Sequence, residues 1–111
     1  MLSNYFLEIN EHEHEFRSRI KECTLCEFEV LLYLQHAPHS RMTDIAKKRK
    51  VSLESVWKLC NRLKLRGLIK EKPNERDKRS TLLSLTRQGE SLTNKCSKQM
   101  EAIINGANKL V

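Results

Sequence analysis

Four cysteines and four histidines are the residues of this chain whose chemistry could reach beyond packing. Cys23 and Cys26 form a CxxC, a spacing that ligates metal or cycles as a dithiol. With one such pair, a four-thiolate site within the chain is not expected. The pair brackets Thr24, which is expected to cap a helix, and a helix N-terminus favours thiolate. Cys23 and Cys26 are therefore the candidate redox residues, against the plainer reading of small apolar side chains packed at a helix junction. Cys60 and Cys96 read as core. In "EHEHE", His12 and His14 are two positions apart and point to opposite sides of a helix, so together they cannot chelate an ion. Pairing with Glu8, Glu11 and Glu15 is the simpler expectation. His36 and His39 flank Pro38 and could join His12 or a cysteine; these four histidines are the weakest metal candidates. Neither metal nor cofactor is expected. GxSxG, HExxH and phosphate-binding glycine loops are absent, and there are only three glycines, so the chain is not expected to be an enzyme.

Charge is the stronger signal. The net charge of the 111 residues is +7, but residues 1–40 carry 3 Lys/Arg against 7 Asp/Glu and residues 41–79 carry 14 against 5. The remaining residues, 80–111, carry 4 against 2. A cationic block of +9 confined to the middle of the chain is what a polyanion-binding face requires, because clustered Lys and Arg neutralise phosphates. No apolar run approaches the roughly 20 residues that span a bilayer. The acidic, interrupted start is unlike a signal peptide. A cytoplasmic, nucleoid-associated protein with no membrane partner is expected.

These groups need elements to hold them. Leu2, Tyr5, Phe6, Ile9, Phe16 and Ile20 form one helical stripe, weakened at His12 and Glu13, with Ser3 as cap. Thr24 and Glu27 stand in capping-box register before a helix carrying Leu25, Phe28, Leu31, Leu32 and Leu34, ended ahead of Pro38. A short helix fits residues 43–49, capped by Thr43, with Ile45 and Ala46 inward. A turn through Lys50 and Val51 leads to a longer helix capped by Ser52. Its inward residues are Val56, Leu59, Cys60 and Leu63, and Gly67 stands where a left-handed C-cap belongs. Two helices across a tight turn, the second polar and basic, are a helix-turn-helix. "LIKEK" and "RSTLLSL" then read as strands around the turn "PNERDK", and Thr86 caps a last helix over 87–108 with Leu92, Cys96, Met100, Ile103 and Ile104 on one side.

The hairpin tip carries Arg76, Asp77, Lys78 and Arg79. It is either a solubilising turn or, directly after a helix-turn-helix, a basic ribbon that enters the minor groove, where a narrow groove attracts Arg. The ribbon is the favoured reading. Phosphate would repel Asp77, so its expected work is to orient a neighbouring Arg.

"MTDIAKKRKVSLESVWKLCNRLKLRGLI" and "DKRSTLLSLTRQG" together resemble the helix-turn-helix, Asp-x-Arg wing and helix cap of MarR-type winged-helix transcription regulators, over about residues 24–90. The resemblance implies a mainly α (α+β) winged helix-turn-helix with flanking dimerisation helices. It also implies an obligate homodimer on a palindromic operator. Asp77 and Arg79 would be the wing pair, and Ser52, Ser55, Trp57 and Lys58 would lie on or near the recognition surface. Members of the family are usually longer at both ends and hold ligands between those helices and the DNA lobe, so the shorter helices argue against a small-molecule effector. The compact size is similar to the SarA-like branch.

The expected organisation is a single domain: residues 1–22 as a dimerisation helix, 23–86 as the DNA-binding lobe and 87–111 as a second dimerisation helix. Apolar stripes on both flanking helices, uncovered by the lobe, are expected to meet a second copy. Arg41, Lys47, Lys48, Arg49, Lys50 and Arg62 are assigned to phosphates. Thr43, Ser52, Glu54, Ser55, Lys58 and Asn61 are assigned to the helix-turn-helix surface, most of them facing base edges. Trp57 is placed between methyl contact and covering the core, leaning to the core. Two other classes compete: a sequence-tolerant architectural DNA binder, and a winged-helix adaptor or antirepressor that grips another protein.

Overall fold

In a computed structural model, which describes the backbone of residues 2–109 and the side chains of residues 4–106, eight elements follow one another. They are α1 (Leu2–Glu11), α2 (Glu13–Arg19), α3 (Leu25–His36), α4 (Met42–Arg49), α5 (Leu53–Leu65), β1 (Ile69–Pro73), β2 (Thr81–Leu85) and α6 (Arg87–Lys109). The cap expected of Ser3 and the packing expected of Leu2 lie outside the described side chains.

Local chemistry sets most of the helix starts. Thr24 and Glu27 close a reciprocal box at α3: the Glu27 N–H donates to Thr24 Oγ1 at 3.1 Å and the Thr24 N–H to Glu27 Oε1 at 2.8 Å. Ser52 Oγ accepts from the Ser55 N–H at 3.1 Å, and Thr86 Oγ1 from the Gly89 N–H at 3.0 Å. At α4 the expectation fails. The helix begins at Met42, because Asp44 reaches back to accept from the Arg41 N–H at 3.0 Å; Thr43 lies inside the first turn and caps nothing. The first stripe is also not one helix. His12, at φ −110° and ψ 29°, separates α1 from α2 at the position where the apolar pattern weakens.

Two cores result, with α3 between them. One lies under the lobe and joins Val30, Leu31 and Leu34 of α3 to Ile45, Val56, Leu59, Cys60, Leu63, Leu68 and Leu83. The other joins Leu25, Phe28 and Leu32 to Ile9, Phe16, Ile20, Cys96, Met100, Ile103 and Ile104, with the Phe16 and Phe28 rings 5.6 Å apart between centroids. Feeding both cores explains why α3 is apolar around nearly its whole circumference. It also corrects an expectation: the stripes of the flanking helices are largely covered by their own chain. Leu7, which lies off the first stripe, is 65% exposed.

The strands pair antiparallel in the register Ile69↔Leu85 through Pro73↔Thr81. Ser40 adds a bridge at the base of the hairpin, donating its N–H to the Leu83 carbonyl at 3.2 Å and accepting from the Leu83 N–H at 2.7 Å. Gly67, at φ 72°, ends α5 in the left-handed conformation expected of it.

Candidate nucleic-acid interface

Lys50 makes the turn between α4 and α5. It adopts φ 55° and ψ 45°, a left-handed conformation that costs a side-chain-bearing residue about 1 kcal/mol. The Val51 N–H then donates to the Ala46 carbonyl at 3.1 Å, which closes the turn. The four inward residues of α5 are all buried, so the opposite half of the helix faces outward, with Ser52, Leu53, Glu54, Ser55, Trp57 and Lys58 exposed. Asn61 is half-buried at the far end of that face.

The hairpin tip is organised by two carboxamide and carboxylate turns. Asn74 Oδ1 accepts from the Arg76 N–H at 3.1 Å, and Asp77 Oδ1 accepts from the Arg79 N–H at 3.0 Å. The Arg79 guanidinium lies 3.6 Å from the same Asp77 oxygen and remains 95% exposed. Asp77 thus shapes the turn and holds the base of Arg79 while leaving its donors outward. The tip adjoins the start of α4 across a cleft of about 620 Å³ lined by His39, Arg41, Asp44, Lys72, Arg76 and Asp77.

The predicted cations divide into two groups. Lys47, Lys48, Lys50, Lys58, Arg76, Lys78 and Arg79 are exposed on the lobe. Arg41 is exposed too, but Asp44 grips its guanidinium in a forked pair at 3.0 and 3.3 Å. That pair and the Arg41 N–H hold the Asp44 carboxyl below the usual range. Arg49 is the correction. Its guanidinium lies 3.2 Å from Glu29 of α3, with the two side chains only 10% and 8% exposed, so it serves the lobe's interior and cannot reach a phosphate. Arg62, 58% exposed, lies 4.0 Å from Glu27, which also takes Arg66 at 3.3 Å. Asp44, Glu29 and Arg66 were not singled out from sequence, and Glu27 was read only as a capping residue, not as an ion-pair partner. The Arg41–Asp44 spacing of three on a helix could have revealed one pair, but partners 20 and 39 residues apart leave no local trace.

Trp57 also departs from expectation. It does not cover the core; it is 54% exposed, as Leu53 is at 49%.

The thiols rearrange as well. Cys26 is exposed and Cys23 is buried, with its Sγ 3.8 Å from that of Cys96 on α6. The expected Cys23–Cys26 dithiol is therefore replaced by a Cys23–Cys96 pair. The hydrogen bond to Cys96 and then burial push the Cys23 thiol up, overriding the helix N-terminus, while the same bond holds Cys96 below its ordinary value. Cys60, buried in the lobe, is pushed up to about 11. A thiol oxidant such as diamide should link Cys23 to Cys96, closing the gap to the roughly 2.05 Å of a disulfide. Peptide mass spectrometry checks this, and a Cys23–Cys26 link would contradict it. Among the described residues no three His, Cys, Asp or Glu side chains gather as a metal site. His12 lies 4.0 Å from Glu15, and His36 Nδ1 sits 3.0 Å from the Leu32 carbonyl, so the four histidines are not brought together.

A turn-linked helix pair with a basic antiparallel ribbon beside the second helix defines a winged helix-turn-helix. The MarR family model matches residues 24–80, a little over half of the chain, and the chain belongs to that family, a DNA-binding class of transcription regulators. Three solved structures show how far the fold is shared. FabT of Streptococcus pneumoniae in complex with DNA is 23% identical at a TM-score of 0.74, covering 96% of this chain and 76% of that one. A mutant MarR from E. coli complexed with operator DNA is 22% identical at 0.70, covering 94% and 74%. YusO of Bacillus subtilis is 24% identical at 0.77, covering 99% and 77%. No curated protein matches the chain. Among the described residues no helix is long and apolar enough to cross a membrane.

Proposed function

We propose that the protein is a sequence-specific, homodimeric regulator that lays α5 in the major groove and the Arg76–Arg79 tip in the adjacent minor groove of a palindromic site. The single observation that carries the reading is the exposure of the charge. The lobe leaves Lys47, Lys48, Lys50 and Lys58 exposed along α4, the turn after it and α5, and holds a 95% exposed Arg79 at the tip of a ribbon that borders the start of α4. The fold is shared with FabT and MarR structures that hold DNA.

Phosphate contacts then fall to Arg41, Lys47, Lys48 and Lys50, with Arg62 held back toward Glu27. They set affinity and its dependence on salt, while α5 supplies the base contacts. Two chains would place their recognition helices about one helical turn apart, roughly 34 Å, on two half-sites. Exposed Leu7 on α1, next to half-buried Tyr5 and Phe6, supports a contact between copies through the flanking helices. The chain ends around the lobe, 1–22 and 87–111, act as the dimerisation segments in this reading.

Arg79→Ala tests the wing. The side chain is 95% exposed and its ion pair with Asp77 lies at the surface, so its removal should leave the fold intact. Binding to a duplex selected from a random pool should weaken by about 1–3 kcal/mol, roughly five- to 150-fold, in fluorescence anisotropy titrations. Unchanged affinity would remove the ribbon from the interface.

A further inference from the structure

We propose that Leu53 and Trp57 read thymine C5-methyl groups in the major groove, so that the preferred half-site is defined by where its thymines stand. The inference rests on the DNA-binding reading above and gives that surface its specificity.

Three observations lead to it. First, the polar side chains at the start of α5 are occupied with one another. Ser52 Oγ caps the helix and donates to Ser55 Oγ at 2.9 Å, and Glu54 lies 3.5 Å from Lys58. Hydrogen-bond readout of base edges from this stretch would have to break those pairs. Second, an exposed apolar flank lies beside them. Leu53 and Trp57 are one turn apart on α5, 49% and 54% exposed, and Val51 in the preceding turn is 36% exposed. Leu53 and Trp57 project to one side of the buried stripe, so the chain's own core does not cover them. Third, the surroundings select the occupant. The flank continues along α5 to Lys64, which pairs with Glu71 of β1, so it runs toward the base of the basic ribbon. Lys47, Lys48 and Lys50 stand on the helix and turn just before it.

An apolar strip with exposed cations before it, at Lys47, Lys48 and Lys50, and a cation on its own helix, at Lys58, suits the major groove of duplex DNA, with phosphates at its edges and thymine methyls on its floor. Apolar contact with the thymine methyl is the readout left to side chains that carry no hydrogen-bonding group, as with Leu53, or only an indole N–H, as with Trp57. Uracil pairs as thymine does and lacks only the methyl, so it isolates this contact.

The test starts from the duplex that the purified wild-type chain selects from a random pool. Each thymine is replaced in turn by deoxyuridine, and affinity is followed by fluorescence anisotropy. At one or two positions in each half-site the wild-type protein should lose about four-fold in affinity, the worth of one buried methyl. Trp57→Ala and Leu53→Ala, both at exposed positions and checked for folding by circular dichroism, should bind the thymine and uracil duplexes alike at those positions. Wild-type affinity indifferent to every substitution would overturn the inference while leaving DNA binding intact. Equally decisive against it would be a Trp57→Ala protein that discriminates as well as wild type, including one that loses only a protein partner. If wild type selects no duplex at all, the DNA-binding reading falls and this inference with it.

Discussion

Gly89→Ala should destabilise the protein by about 3 kcal/mol or more and lower its melting temperature by more than about 10 °C. Two effects compete at this position. Within α6, Ala is worth up to about 1 kcal/mol over Gly, so helix propensity alone predicts a gain. The packing predicts the reverse. The first turn of α6 lies directly on the backbone at the end of α5: a Cβ on Gly89 would overlap the Leu68 carbonyl oxygen and stand 2.9 Å from its carbon. Neither side can yield easily. The Leu68 carbonyl accepts from the Thr86 N–H at 3.0 Å, Thr86 Oγ1 donates to the Gly67 carbonyl at 2.6 Å, and Thr93 Oγ1 donates to the Gly89 carbonyl at 2.6 Å. This knot fixes α6 against the recognition helix and the ribbon, so forcing it open should also weaken DNA binding. Gly106→Ala is the internal control. A Cβ there meets nothing within 4 Å, and that variant should gain up to about 1 kcal/mol. Thermal melts of both variants check the pair of signs.

Arg49→Ala should cost about 3–5 kcal/mol, although the residue sits in the basic run that sequence assigns to phosphates. Removing the guanidinium leaves buried Glu29 without its cation, with the Asn10 side chain still hydrogen-bonded to it, and a buried carboxylate stripped of its counter-charge is far more costly than a lost surface pair. The pH dependence has a definite sign. Burial already raises the Glu29 carboxyl above its ordinary value, against the opposing pull of Arg49. Without Arg49 the folded-state value rises further, so the folded variant binds a proton more readily than the unfolded chain. The contribution of Glu29 to stability is then greatest below its unfolded value and falls as pH rises through the shifted one. The penalty measured by urea unfolding should be smaller at about pH 5 than at about pH 8. A penalty below 1 kcal/mol, flat with pH, would show that Arg49 is a solvated cation after all.

These two positions illustrate what could and could not be read from sequence. Features with a local cause were legible. The inward stripe Val56, Leu59, Cys60 and Leu63, the Thr24–Glu27 box, the Ser52 and Thr86 caps and the left-handed Gly67 all follow from spacing and backbone chemistry within a few residues. The hairpin was legible for the same reason, while the pairing of Asp77 with Arg79 came from the resemblance to the family's wing. Features set by distant partners were not. Arg49 looks like its neighbours Lys48 and Lys50 until Glu29, 20 residues away, is folded against it. Cys23 looks like half of a CxxC until α6 brings Cys96 to it. Thr43 lost the cap because Asp44 shifted the helix start back to Met42, a matter of which carboxylate reaches which N–H. Trp57 was misplaced by the general preference of large aromatics for cores, although its position on α5 lies off the buried stripe.

A map of where duplex DNA touches the chain tests the central claim most directly. Backbone amide shifts recorded by NMR while a selected duplex is added should concentrate at residues 52–61 of the recognition helix and 76–79 of the wing, with two chains per duplex in the complex. Shifts confined to the flanking helices α1 and α6, or no shifts at low salt, would contradict it.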